Sequence, residues 1–382
     1  MGGVSRATRR RLVEAMTGGA ALQLLGACTG AGQRGRAHYV RAHSRRPFVA
    51  PRVSAERIVR VIAGLRPYRP SGFVVRRERL DHKILVHNYG HGGGGISLSW
   101  GSSALAVREV RGEAPAQAAV IGAGVMGLTT ARLLQDAGWQ VTLYTAQMPR
   151  HTTSNIAAGQ WGPTSVFELT RVDPAFEARY QWAARISHHA FQNLVGPRYG
   201  VRFLENYYLG DRPHEPSYYA RELPELFAEM SDLLPGEHPF PVPHVHRTVT
   251  MQIEPAIFLR QLEADIRLAG GRFVVRAFES PQELLALPEQ TLFNCTGLGS
   301  RELFNDVELT PAKGQLVFVL PDQQVDFATI GGGRGVRYMF PRTGELVLGG
   351  SWERGEFSLA TDVGLAEQIV ADHKALFDAM EV

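Results

Sequence analysis

The sequence has few cysteines, a modest share of charged residues and no long apolar run. Its two cysteines exclude a disulfide framework and a cysteine-rich metal site. No run reaches the roughly 18 apolar residues that a membrane-spanning helix needs. Hydrophobic residues make up 44% of the 382 residues and charged residues 20%, so the chain can bury a sizeable core. At roughly 150 residues per domain, this length predicts two domains or one large α/β unit.

Positive charge is concentrated in the first part of the chain. Residues 1–110 contain 19 Lys and Arg but 5 Asp and Glu. A basic half can indicate nucleic-acid binding. Here the basic residues are spread over a leader, a linker and several short motifs, and we therefore expect no nucleic-acid partner.

The first thirty residues resemble an export signal. Residues 8–13 are similar to a twin-arginine pattern, and a short, weakly apolar stretch follows at 15–27. Leu-Gly-Ala-Cys at 25–28 resembles a lipobox, in which Cys28 would carry a lipid anchor. We expect an exported protein, periplasmic or anchored to the membrane, with 1–30 as the signal and 31–52 as a linker. The alternative is a basic tail on a cytoplasmic protein.

A dinucleotide-binding pattern begins at residue 118. The apolar strand 118–121 runs into Gly122-Ala123-Gly124-Val125-Met126-Gly127, and a helical pattern and a second strand follow. In this pattern Gly122 permits the tight turn, Gly124 the approach of a pyrophosphate, and Gly127 the close packing of the helix, whose N-terminus attracts phosphate. The acidic residue expected after the second strand is missing, and we expect Thr145 or Gln147 to supply weaker ribose contacts.

A second glycine turn lies nearer the front of the chain. The strand 84–86 leads into residues 87–95, His-Asn-Tyr-Gly-His-Gly-Gly-Gly-Gly, and a helical pattern starts at Ile96. This arrangement predicts a second helix N-terminus that faces an anion. His87 and His91 lie in a turn among glycines, and we predict no metal site there.

Five segments together resemble the D-amino-acid oxidase family of flavoproteins. These are Gly-Leu-Arg-Pro-Tyr-Arg-Pro at 64–70, the histidine and glycine turn at 87–93, Thr-Thr-Ser-Asn-Ile-Ala-Ala-Gly-Gln-Trp at 152–161, Asn-Cys-Thr-Gly-Leu-Gly at 294–299, and Tyr-Met-Phe-Pro at 338–341 with Leu-Gly-Gly at 348–350. The resemblance implies FAD as the cofactor. It implies cofactor contacts from Gly122, Gly124, Val125, Met126, Gly127, Thr145, Thr152, Thr153, Ser154, Ala158, Gly159, Gln160, Thr296, Gly297, Gly90, Gly92, Gly94, Gly95 and Ile96.

The order of these segments differs from that of the family. The segments at 64–70 and 87–93 close the chain in the family but precede the dinucleotide motif here, which predicts a circular permutation. The alternative is a gene-model artefact or a truncated repeat. The fold class is α/β, with a Rossmann-type FAD domain and an antiparallel substrate domain. We assign 53–110, 117–170 and 265–310 to the first domain, 171–264 and 311–365 to the second, and 366–382 to a C-terminal helix.

The resemblance also implies three residues around the substrate. Arg66 matches the family's carboxylate-binding arginine, and a guanidinium can hold a carboxylate through two parallel hydrogen bonds. Tyr338 matches the tyrosine that shares this carboxylate, and Gly93 the glycine whose carbonyl accepts from the substrate amine. Hydride would leave the α-carbon for the flavin, the imine would hydrolyse to a 2-oxo acid and ammonia, and oxygen would become hydrogen peroxide.

The segments around the substrate also bear on its identity. A short run, 331–335, replaces the family's active-site lid, and Ser351-Trp352 stands where acid-preferring relatives have an arginine. This favours a neutral or aromatic D-amino acid. The alternatives are an oxidase of glycine or sarcosine, an exported dehydrogenase with a membrane acceptor, and a flavin-binding protein without turnover.

Overall fold

The computed structural model describes residues 48–333 and 337–382. The predicted signal, Cys28, most of the linker and residues 334–336 of the predicted short run lie outside these residues. Within the described residues, no helix is both long and apolar enough to cross a membrane.

The described residues form strands and helices in mixed order, with three strands before the first α-helix and five successive strands before the last one. The strands are β1 (Ile58–Tyr68), β2 (Val74–Leu80), β3 (Lys83–Tyr89), β4 (Gln117–Ile121), β5 (Gln140–Thr145), β6 (Val201–Gly210), β7 (Met230–Leu233), β8 (His244–Ile253), β9 (Arg272–Val275), β10 (Thr291–Asn294), β11 (Thr310–Val319), β12 (Phe327–Gly331), β13 (Tyr338–Pro341), β14 (Leu346–Gly349) and β15 (Glu353–Arg354). The helices are α1 (Gly95–Arg108), α2 (Val125–Asp136), α3 (Thr153–Ile156), α4 (Pro174–Gln192), α5 (Tyr218–Glu222), α6 (Pro255–Leu268), α7 (Ser300–Leu303) and α8 (Val363–Asp378).

The smaller sheet has the order β2-β3-β10-β4-β5-β9 in the described part of the chain. Strands β3, β10, β4, β5 and β9 are parallel, and β2 is an antiparallel edge strand. Residues 118–121 of β4 are all buried, as expected for a parallel strand covered on both faces. Helix α2 follows β4 and ends before Gly138, which has a φ of +87° and can adopt the left-handed conformation common after a helix.

The larger sheet has the order β1-β11-β14-β13-β12-β6-β8-β7 among the described residues, with β15 paired to β11. Residues of β11 alternate between its two faces: Val317 and Val319 pack in one core cluster with α8, and Leu316 and Phe318 pack in another. We expected an antiparallel sheet, but it is mixed, because β6 and β12 run parallel. The face that carries Leu316 lines the cavity described below.

Residues 53–110 contribute to both sheets. Strand β1 pairs antiparallel with β11 in the larger sheet, whereas β3 pairs parallel with β10 in the smaller one. The assignment of 53–110 to the FAD domain alone was therefore wrong for β1. The local sequence could not show this, because the partner of β1 lies about 250 residues further along the chain.

Candidate active site

A cavity of about 900 Å³ extends from the ends of the parallel strands to one face of the larger sheet. This volume lies in the range of ligand sites in proteins. Its lining includes residues at the N-termini of α1 and α2, the segment 152–160 and part of β1. A nucleotide-binding turn and a strand face therefore meet in one cavity.

The turn before α2 is built around two close backbone contacts. Gly122 has a φ of +104°, and a Cβ there would lie 2.4 Å from the Cys295 carbonyl oxygen. A Cβ at Gly127 would lie 1.9 Å from the Gly122 carbonyl oxygen. Only glycine fits both positions, so α2 begins directly beside the end of β4.

The N-terminus of α2 can bind an anion through its backbone N–H groups. Its N-cap, Gly124, makes no side-chain cap, and its first turn has no acidic residue. The Val125 N–H donates to the Ser154 hydroxyl at 3.0 Å, and all three residues line the cavity. Unpaired amide groups and the helix dipole favour a phosphate here. This end of the cavity fits the pyrophosphate of a dinucleotide.

The segment 152–160 is fixed from the other side by side chains of the larger sheet and its loops. Gln252 donates to the Ala158 carbonyl oxygen at 3.0 Å. Arg342 donates to the Ala158 carbonyl at 3.1 Å and also bonds the Ala157 carbonyl. The two side chains therefore hold the cofactor-facing backbone against β8 and β13.

The end of the cavity beyond β5 contains a cation and an aromatic ring. The Thr145 hydroxyl donates to the Gln147 carbonyl at 2.7 Å and retains its acceptor capacity. Arg276 follows β9 and lies 4.6 Å from the ring centroid of Phe278, and both line the cavity. The dinucleotide motif gave no signal for these two residues, because they come from a neighbouring strand.

The second glycine turn places α1 against the same cavity. Gly93, Gly95, Ile96 and Ser97 line it, and the first turn of α1 has no acidic residue. Two helix N-termini therefore contribute positive potential to one cavity.

The two histidines of this turn have structural partners. His91 lies 2.6 Å from the Ser102 hydroxyl and stacks on Phe73 at 4.8 Å, and burial lowers its pKa to about 3. His87 is buried between Asn294, at 3.0 Å, and Glu78, at 3.2 Å. These contacts account for the burial of both histidines, which pack in the fold as structural residues.

Arg66 and Tyr338 meet at the larger sheet. Tyr338 lies beside Arg66, and burial raises the pKa of the Tyr338 hydroxyl although the nearby guanidinium opposes this. Tyr338 is therefore a neutral donor near pH 7. The Arg66 guanidinium lies 5.1 Å from the Trp352 ring centroid and 3.5 Å from two backbone carbonyl oxygens. Within the described residues it has no carboxylate partner, so it can receive one from a ligand.

Two glycines of the larger sheet lie directly against the side chains of Arg66 and Tyr338. A Cβ at Gly314 would lie 2.1 Å from Nη1 of Arg66, and a Cβ at Gly349 would lie 2.0 Å from the Tyr338 ring. Glycine weakens a strand and often marks a close approach of another group. Here it lets the guanidinium and the ring lie flat on the sheet.

Most of the predicted site residues line this cavity. It is lined by Arg66, Tyr338, Gly93, Gly122, Gly124, Val125, Met126, Thr145, Thr152, Thr153, Ser154, Ala158, Gly159, Gln160, Thr296, Gly297, Gly90, Gly92, Gly95 and Ile96. Gly94 and Gly127 do not line it, and their role as cofactor contacts stays a prediction. Gly127 packs on the Gly122 carbonyl, and a Cβ at Gly94 would lie 2.5 Å from Val166.

Sequence reasoning missed several residues at the end near Arg66. Tyr208, Ser217, Tyr219 and Ile330 all line the cavity. Tyr208, Ser217 and Tyr219 belong to the stretch 171–264, which we assigned to the substrate domain without predicting a site residue in it. No motif marks them, because they reach the cavity through strand pairing and a loop.

This geometry fits a protein that binds a dinucleotide cofactor. The family described as "DAO: FAD dependent oxidoreductase" matches residues 117–381, and the chain belongs to it. The protein is therefore an FAD-dependent oxidoreductase, and the residues around α2 fit that cofactor.

Curated relatives agree with this assignment. The chain is 32% identical to a D-amino-acid oxidase of Rubrobacter xylanophilus, over 70% of this chain and 79% of that protein. It is 31% identical to a D-amino-acid oxidase of Streptomyces coelicolor, over 70% of this chain and 80% of that protein. It is 28% identical to the D-aspartate oxidase of Homo sapiens, over 67% and 74% respectively.

Solved structures show the same fold at lower identity. An iminodiacetate oxidase from Chelativorans sp. BNC1 matches with a TM-score of 0.52 and 14% identity, over 69% of this chain and 79% of that chain. A glycine oxidase from Geobacillus kaustophilus matches with a TM-score of 0.51 and 15% identity, over 69% and 78%.

Proposed function

We propose that the protein oxidises a neutral D-amino acid to its 2-oxo acid, releasing ammonia and hydrogen peroxide. The observation that carries this proposal is Arg66, which lies beside Tyr338, contacts two backbone carbonyl oxygens and lacks a carboxylate partner among the described residues. The relatives named as D-amino-acid oxidases support the choice of enantiomer.

The chain's own residues bind and orient the substrate. Arg66 holds the carboxylate through two parallel hydrogen bonds, and the neutral Tyr338 hydroxyl donates a third. The Gly93 carbonyl accepts from the amine. The residues around the N-terminus of α2 would hold FAD, which would supply the two-electron acceptor for the α-carbon hydride and the route of those electrons to oxygen. Fixing carboxylate and amine together restricts the α-carbon to one orientation, which is the protein's main contribution to the rate.

The products test this proposal against its alternatives. In air, a neutral D-amino acid should give one 2-oxo acid, one ammonia and one hydrogen peroxide for each oxygen consumed, and the L-enantiomer should give none. Turnover of glycine or sarcosine in preference to every D-amino acid would contradict it. Reduction of an electron-accepting dye without any peroxide would instead support a dehydrogenase.

Replacing Gly314 by alanine should impair substrate binding without removing any polar group. The new Cβ would lie 2.1 Å from Nη1 of Arg66, so the guanidinium must move while the backbone can stay. We expect KM for a D-amino acid to rise about 10- to 100-fold, the usual effect of misplacing a binding group by about 1 Å. Steady-state kinetics and the thermal midpoint would be measured together.

Gly344→Ala is the matched control for Gly314→Ala. A Cβ at Gly344 meets no atom within 4 Å, so this variant should keep the wild-type KM. An unchanged KM in Gly314→Ala would show that substrate binding does not depend on the position of the Arg66 guanidinium beside Gly314.

A further inference from the structure

We infer that Tyr219 is a specificity-determining residue, whose ring contacts the substrate side chain and selects large, uncharged and preferably aromatic amino acids. This inference rests on the proposed function, because it takes Arg66 and Tyr338 as the carboxylate site. Tyr219 comes from α5, in the connection between β6 and β7, and not from the run 331–335, which we expect to replace the family's lid.

Tyr219 lies over the loop that precedes Pro163. Its hydroxyl oxygen would lie 3.2 Å from a Cβ at Gly162, and both residues line the cavity. The Gly162 N–H donates to the Ser97 hydroxyl at 3.0 Å, which ties this loop to the start of α1. Behind the cavity, the Tyr219 ring packs on Phe227 with a centroid distance of 5.8 Å. The Tyr219 ring is therefore part of the cavity lining and is held in place by its neighbours.

Strand register connects Tyr219 to the carboxylate site. Tyr208 lies beside Tyr219, which contributes to raising the pKa of the Tyr208 hydroxyl. Tyr208 on β6 is opposite Ile330 on β12, and Ile330 is opposite Tyr338 on β13. Directly opposite residues carry their side chains on the same face of a sheet. At a strand spacing of about 4.8 Å, Tyr208 lies roughly 10 Å across the sheet from Tyr338.

This spacing favours a large side chain. With the carboxylate at Arg66 and Tyr338, a side chain must extend across Ile330, which lies between Tyr338 and Tyr208 in the register, to reach Tyr208. A methyl group on the α-carbon is too short for this. A ring attached through one methylene would extend toward Tyr208 and Tyr219 and pack between them and Ile330. Aromatic rings in contact contribute about 0.5–1.5 kcal/mol beyond the area that they bury.

The charge of the lining favours an uncharged side chain. Apart from Arg66, which the substrate carboxylate would neutralise, the described lining residues at this end include Tyr208, Ser217, Tyr219, Ile330 and Trp352, and these five carry no charge. Burial raises the pKa of Tyr208, so its hydroxyl stays neutral. An acidic or basic substrate side chain would lose its hydration here without gaining an ion pair.

The tyrosine next to Tyr219 provides a matched control. The Tyr218 hydroxyl donates to Glu177 at 2.6 Å, and Tyr218 does not line the cavity. Tyr218→Phe therefore perturbs the same short helix without changing the cavity wall. Tyr219→Phe keeps the ring and removes only the hydroxyl.

The test compares kinetics and binding in the holoenzyme. The wild type should prefer D-phenylalanine to D-alanine. Tyr219→Ala should lower kcat/KM for D-phenylalanine about 10- to 100-fold, mainly by raising KM. The same variant should change kcat/KM for D-alanine less than about threefold. The Kd of phenylacetate, measured from the flavin spectrum, should rise as kcat/KM falls, whereas the Kd of acetate should stay constant. Tyr218→Phe should resemble the wild type, and Tyr219→Phe should retain the preference for D-phenylalanine over D-alanine because it keeps the ring.

Three outcomes would overturn the inference: equal losses for both amino acids, an unchanged phenylacetate Kd, or the same selective loss in Tyr218→Phe. Failure of the proposed function has a different signature. In that case no D-amino acid would reduce the flavin, while the phenylacetate Kd would still report whether Tyr219 contacts a ring.

Discussion

Arg66→Gln should lower kcat/KM for a neutral D-amino acid by about 30- to 3000-fold, corresponding to about 2–5 kcal/mol for losing one partner of a buried charge pair. Glutamine keeps a polar group but cannot form two charged, parallel hydrogen bonds to a carboxylate. The effect should appear mainly in KM, because the carboxylate is held in both the ground state and the transition state. FAD content should stay at the wild-type level. Peroxide assays over a substrate series and the flavin absorbance would measure both quantities.

Arg69→Gln provides the control for Arg66→Gln, since Arg69 is three residues away with different partners. Arg69 pairs with Asp306 at 2.9 Å and Glu308 at 2.8 Å, and it does not line the cavity. This variant should lose thermal stability, because two carboxylates lose their partner, and keep the wild-type KM. An Arg66→Gln enzyme with an unchanged KM would remove Arg66 from the substrate site.

Gly124→Asp should abolish tight FAD binding while leaving the fold intact. Gly124 is the N-cap of α2, with a φ of −72° and a ψ of −177°, a conformation that any residue adopts. Aspartate is a favourable N-cap and should stabilise the helix. Its carboxylate would nevertheless occupy and repel the pyrophosphate site at a cost of about 2–3 kcal/mol. We therefore expect the Kd for FAD to rise about 100-fold.

Gly124→Ala separates charge from size at this position. An alanine Cβ would lie 3.2 Å from the Ser154 hydroxyl oxygen, a contact that a small shift of Ser154 relieves. FAD binding by this variant should fall much less than in Gly124→Asp. Titration of the apoprotein with FAD, followed by flavin fluorescence, gives both constants. Equal affinities in the aspartate variant and the wild type would place the pyrophosphate elsewhere.

The parts of the site that are local in sequence could be predicted. The turn at 122–127 and the start of α1 are each built from one strand, one run of glycines and one helix. Their backbone requirements can be read directly from the residues. The cofactor segment 152–160 was found through the family resemblance, and the structure places it beside the N-terminus of α2.

The parts formed by distant contacts could not be predicted. Gly314 supports Arg66 because β1 and β11 pair across the sheet, and no local pattern links these residues. Tyr219 reaches the cavity from a stretch with neither a motif nor a clear period. The same reason explains why the mixed character of the larger sheet was missed.

The circular permutation stays a prediction. The family match begins at residue 117, while β1 and β3, from 53–110, pair with β11 and β10. We propose that 53–110 is the family's C-terminal segment in a new position. A chain in which this segment follows residue 382 through a flexible linker should bind FAD and oxidise the same substrate. A rejoined chain that folds without FAD would contradict this proposal.

Anaerobic reduction of the bound flavin tests the central claim most directly. The purified holoprotein would be mixed without oxygen with D- and L-amino acids, glycine and sarcosine, and the visible flavin spectrum would be followed. Our account predicts that neutral D-amino acids bleach the flavin, that their L-enantiomers do not, and that air restores the spectrum with release of peroxide. A bound flavin that none of these compounds reduces would contradict the amino-acid oxidase proposal and leave the fold and the cofactor assignment in place.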